Sequence, residues 1–130
     1  MSSAKRSVSE AGGAPRAWTF YLDDMIRFAE KVLAYTDGLD QDDFTRDDLI
    51  YDATLRNLEL IGEAATHIPE TVRAANPHVP WRLIVATRNR LIHGYLGIDN
   101  DTLWSVVRDD LPALLEQLGQ LRERSVPMSP

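Results

Sequence analysis

Apolar positions recur at three- and four-residue intervals over four long stretches of this chain, the spacing of a buried helix face. The first stretch runs from Trp18 to Tyr35, with Leu22, Met25, Ile26, Ala29, Val32 and Leu33 on one side. Asp37-Gly38-Leu39-Asp40 closes it, with Gly38 as the C-terminal cap. Asp40 to Asp48 reads as an acidic connection containing Phe44. Thr45 is placed to cap the next helix, with Asp47 and Asp48 favourable in its first turn.

The second helix is expected over Asp47 to Ile68. Ile50, Thr54, Asn57, Ile61, Ala64 and Ile68 form one stripe; Tyr51, Leu55, Leu58, Gly62 and Ala65 form another beside it. Two adjacent stripes predict a helix packed on two sides, and the small residues Gly62, Ala64 and Ala65 allow close approach of a neighbour. Pro69 to Ala75 reads as a short helix and Asn76 to Pro80 as a loop. A third main helix spans Pro80 to about His93, with Trp81, Ile84, Val85, Leu91 and Ile92 as its apolar surface. Asp99 or Asn100 caps the fourth, Asp101 to Arg122, along which Leu103, Val106, Val107, Leu111, Leu114, Leu115, Leu118 and Leu121 line up. Pro112 should kink that helix, or restart it with Asp110 as a new cap. The pattern predicts an all-α, single-domain, up-and-down bundle of four main helices plus a short one over residues 16–124. Residues 1–15 and 125–130 read as tails with little to bury.

Composition narrows the function classes. The chain has 130 residues, 44% of them hydrophobic and 26% charged, as in an ordinary globular domain. It has no cysteine, which excludes disulfides, thiolate chemistry and Cys-ligated metals. No apolar run approaches the ~18 residues of a membrane span, and no secretory leader pattern opens the chain, so a cytoplasmic location is expected. Nothing gives His67 and His78 a metal-ligand spacing with carboxylates, so no metal or cofactor is expected. The formal charge is −6, which argues against broad non-specific nucleic-acid binding.

Charge is also segregated. Thr71 to Ile98 contains Arg73, Arg82, Arg88 and Arg90, two histidines and no Asp or Glu. A positive island on an acidic chain suggests a local anion site. Within it lies Arg88-Asn89-Arg90-Leu91-Ile92-His93-Gly94-Tyr95. At ~100° per residue, Asn89 and His93 are an i, i+4 pair, while Arg88 and Tyr95 share another face. One helix spreads these groups over too wide an arc for a small ligand; a second copy across a two-fold axis would close the arc.

The residue types suit metal-free RNA cleavage. A histidine such as His93 can serve as base or acid in such a step. Arg88 keeps its charge and bonds phosphate oxygens in pairs. Asn89 can orient the histidine or donate to phosphate. The reaction needs an acid and a base, and one motif histidine per chain again points to a homodimer. A purely structural reading also exists, with Arg88 in a salt bridge, His93 closing a helix and Tyr95 at the core edge. Arg90 faces away from Arg88, as a surface residue or RNA contact. Asn57 is either a locally satisfied buried amide or a polar contact near the site.

The motif resembles the R-x-x-x-x-H-x-Y signature of HEPN-domain proteins of the HepT family. The flanking Ile61-Gly62-Glu63-Ala64-Ala65, Val79-Pro80-Trp81, Gly97-Ile98-Asp99, Leu103-Trp104 and Asp110-Leu111-Pro112 agree with it, over roughly Thr19 to Leu121. The resemblance implies a HEPN-like helical fold and a metal-independent endoribonuclease toxin with RNA as substrate. Its catalytic residues would be Arg88, His93 and Asn89 at a dimer interface, with Glu63 in support. It implies a nucleotidyltransferase (MNT) antitoxin partner that adds AMP to Tyr95. A binding module of the same fold, binding a nucleotide or partnering a nucleotidyltransferase without cleaving RNA, is the alternative.

Overall fold

The computed structural model describes residues 17–93 and 98–125. Every regular element within them is helical: α1 (Trp18–Thr36), α2 (Gln41–Arg46), α3 (Asp48–Ala65), α4 (Glu70–Ala75), α5 (Trp81–His93), α6 (Asn100–Ser105) and α7 (Leu111–Arg124), with a π-helical turn, Val106–Asp110, joining the last two. The all-α bundle expected from the periodicity is observed. The N-terminal tail assigned to residues 1–15, and residues 126–130 of the C-terminal one, lie outside the described residues.

α3 is central, between α1 and α5. On its second stripe Tyr51 and Leu55 lie near Leu91, and Gly62 near Arg88. That order runs α3 and α5 antiparallel. α1 is antiparallel to both α3 and α7: Tyr21 stacks on His67, and Asp23 accepts from Arg122 Nε at 2.7 Å. Leu22, Met25, Ala29 and Val32 of α1 are completely buried in one cluster with Leu58, Ile61 and Ala65 of α3 and Leu114 and Leu118 of α7.

Capping chemistry explains the helix ends. α1 ends in a type II turn in which Leu39 N–H donates to Thr36 O at 3.1 Å and Gly38, past the Asp37 cap, supplies the φ of +78° that the turn's third position requires. Asp99 accepts the Thr102 amide at 2.7 Å and starts α6. Two expectations change. The acidic connection contains a helix, α2, because Asp40 and Asp43 cap each other's backbone amides in a capping box. Asp47, not Thr45, caps α3, accepting from the Ile50 amide at 3.0 Å.

Asp110 makes no side-chain cap that would restart the helix at Pro112. A ring at Pro112 would strike the Arg108 carbonyl of an unbroken α-helix. Instead Leu111 N–H bonds five residues back, to Val106 O, and the widened turn carries the helix past the proline.

α2 also delivers Phe44, fully buried, to Tyr51 of α3 and Trp104 of α6 at ring separations of 5.3 and 5.2 Å. Phe44→Ala should therefore cost about 3–5 kcal/mol, measured by urea denaturation. A loss under about 1 kcal/mol would show that α2 does not help to hold the bundle together. Among the described residues no helix is long and apolar enough to cross a membrane.

Candidate active site

The site forms where α5 comes closest to α3. Gly62 makes that approach possible. A Cβ there would stand 2.8 Å from Arg88 Cγ, closer still to Arg88 Cβ, and 3.2 Å from the Ile84 carbonyl oxygen. The stem of Arg88 thus lies across the bare backbone of α3. Its guanidinium is partly buried, with 24% of the side chain exposed.

Arg88 is fixed from both sides. Nη2 donates to Glu63 Oε1 at 2.5 Å, and Nη1 to Asn89 Oδ1 at 2.9 Å. The buried Nε has no acceptor among the described residues. An arginine held this way loses little side-chain entropy when it takes up an anion. Glu63 reaches further: its Oε2 lies 3.7 Å from His67 Nε2. One half-exposed carboxylate thus faces both Arg88 and His67.

The structure brings together Arg88, Asn89 and Glu63. His93 is exposed in the last turn of α5, five residues and so about 7.5 Å along the axis from Arg88. Asn57 is buried, and its amide donates to Ala53 O at 2.8 Å within α3. Arg90 is exposed. Asp99 is held below the usual carboxylate range, first by the Thr102 amide that it caps and, less strongly, by the charge of Arg90. Tyr95, with Gly94, lies outside the described residues.

The positive island looks different in three dimensions. Glu63 enters from α3 and meets Arg88, while Arg73 pairs with Glu70 at 3.1 Å. Gly62, expected to allow close approach of a neighbour, does so for Arg88 of α5; the nearness of His67 escaped the sequence reading. The available signal was the i, i+4 spacing of Glu63 and His67. Among the described residues no group of three or more His, Asp or Glu could hold a metal ion.

A protein-family model described as Ribonuclease HepT-like matches residues 25–121. A Methanocaldococcus jannaschii protein named "Putative RNase MJ1380" is 38% identical over 98 residues, covering 75% of this chain and 90% of the relative. A Thermococcus cleftensis protein named "Probable ribonuclease HepT" is 36% identical over 103 residues, covering 79% of this chain and 94% of the relative. No solved structure matches.

Proposed function

The chain belongs to the HepT-like ribonuclease family, and from that premise we propose that it is a metal-independent endoribonuclease toxin of a toxin–antitoxin pair. We place its catalytic groups on a HEPN-like domain over residues 16–124, working in the cytoplasm as a homodimer. The observation that carries this reading is Arg88, held between Glu63 and Asn89 on the same helix as the exposed His93.

The chemistry follows from those groups. A base takes the ribose 2′-OH proton as the oxygen attacks phosphorus, and an acid returns a proton to the departing 5′-oxygen. Arg88 stabilises the charge on the pentacoordinate phosphorus, and Asn89 steadies its guanidinium. His93 of each copy supplies one proton-transfer group. What supports the second copy is the apolar groove beside Thr87, lined by Leu58, Ile61, Leu83, Ile84 and Leu111, together with Leu83, 57% exposed on α5. Covering such a face favours association.

Control is assigned to Tyr95. A nucleotidyltransferase antitoxin would join the phenol oxygen to the α-phosphorus of ATP, releasing pyrophosphate. The bulky anionic adduct would then occupy the phosphate site. A second reading, a nucleotidyltransferase-binding module that does not cut RNA, is favoured by the engagement of Arg88 with Glu63.

The deciding experiment is RNA cleavage by the purified protein in EDTA, with its mass followed by light scattering. Cleavage by a dimer is expected. No cleavage sinks the enzyme reading, and a monomer at micromolar concentration sinks the two-copy site. With a nucleotidyltransferase and ATP, intact-mass spectrometry should show AMP addition and lost activity for the native protein. Tyr95→Phe should stay active and unmodified. AMP uptake by Tyr95→Phe would move the modification elsewhere.

A further inference from the structure

His67 lies in the turn after α3, its amide bonded to Ala64 O at 3.0 Å. Its ring is stacked on Tyr21 of α1, with centroids 4.5 Å apart and planes 14° from parallel. Its Nε2 faces Glu63 Oε2 at 3.7 Å, while the other oxygen of Glu63 binds Arg88 at 2.5 Å. Almost half of the His67 side chain, 48%, is exposed. A flat ring, backed by a second ring, therefore stands one carboxylate away from the arginine.

Its place along the helices decides its role. Because α3 and α5 are antiparallel, the end of α3 that carries His67 runs toward the start of α5. His93 stands at the other end of α5. The two histidines thus lie on opposite sides of Arg88 along the helix axes. A nucleotide next to the scissile phosphate meets the His67 side. Nucleobases are flat, and proteins that grip single-stranded RNA stack them on aromatic rings, histidine included.

We propose that the exposed face of His67, backed by Tyr21, is a nucleobase-stacking subsite flanking Arg88 on the side away from His93. The proposal rests on the ribonuclease reading for its substrate and extends it to the RNA strand on one side of the cut. Glu63 lies between the two positions, binding Arg88 with one oxygen and facing His67 with the other.

The test uses the full-length protein and a 2′-O-methyl oligonucleotide, which resists attack by its own 2′-oxygen, carrying one 2-aminopurine at successive positions. One position should be quenched on binding the native protein. His67→Ala should abolish that quenching, weaken binding about 10- to 100-fold and raise KM for unmodified RNA with kcat little changed. His67→Phe keeps a flat ring and should restore binding and quenching. Unchanged affinity in His67→Ala, even with a lowered melting temperature, overturns the proposal and assigns the ring pair to packing alone. Failure of His67→Phe to rescue also overturns it, because the imidazole itself would then be required. If the native protein cleaves no RNA yet shows the His67-dependent quenching, the ribonuclease reading falls and the subsite stands.

Discussion

His93→Ala should slow RNA cleavage by about 10²–10⁴-fold, the usual worth of a positioned acid or base, and Arg88→Ala by about 10²–10³-fold. Neither change should unfold the protein. His93 is exposed at the end of α5, so its removal opens no cavity. Arg88 loses its bond to Glu63, but that carboxylate is half-exposed and water replaces the guanidinium. Pairs of this kind are worth on the order of 1 kcal/mol or less. Arg88→Lys is a sharper probe: it keeps the charge and loses the fork that spans Glu63, Asn89 and a phosphate. It should fold like the native protein and remain well below it in kcat. The measurements are single-turnover cleavage and urea denaturation on the same preparations. Full activity in either alanine variant would take that residue out of the chemistry. Global unfolding of both would show that the motif holds the fold together instead.

The long helices could be read from the sequence because their burial is one-sided and repeated. α1, α3 and α7 each set at least three or four apolar residues on one face, and the two stripes of α3 correctly announced two neighbours. α2 could not be read that way, since six residues are too few to show a period. Its signal was the Asp40–Asp43 capping pair, hidden among other acidic residues. The π-turn was invisible for another reason: Pro112 demands only that the helix yield, and where it yields depends on packing against α1 and α6. The motif Arg88-Asn89-x-x-x-His93 was legible, but its electrostatic setting was not. Glu63 lies 25 residues before Arg88, and only the antiparallel contact of α3 with α5 brings them together. A charge count along the chain describes the helix that carries Arg88 and misses the carboxylate facing it. His67 was weighed only as a metal ligand, and its stacked partner comes from α1, more than 40 residues earlier.

Gly62→Ala should separate activity from stability. The added Cβ would overlap Arg88 Cβ and crowd the Ile84 carbonyl, and both are fixed close to the α5 backbone. Rotating the end of a side chain cannot relieve that contact, so α5 must move away from α3. Overpacking of this kind costs about 1–3 kcal/mol, partly offset by the roughly 1 kcal/mol that Ala gains over Gly inside a helix. The net change in stability should be about 2 kcal/mol or less. The catalytic loss should be much larger in proportion. Arg88 reaches Glu63 and Asn89 only from its present position, and a shift of about 1 Å in a positioned group can cost ~10²-fold in rate. Cleavage should therefore fall ~10- to 100-fold in a protein that still folds. Gly119→Ala on α7 is the matched control: a Cβ there meets nothing within 4 Å, so it should gain about 0.5–1 kcal/mol in stability and keep full activity. The pair is compared by kcat/KM and by urea midpoint. If Gly62→Ala cleaves RNA as well as the native protein, the close approach of α5 to α3 does not set the position of Arg88.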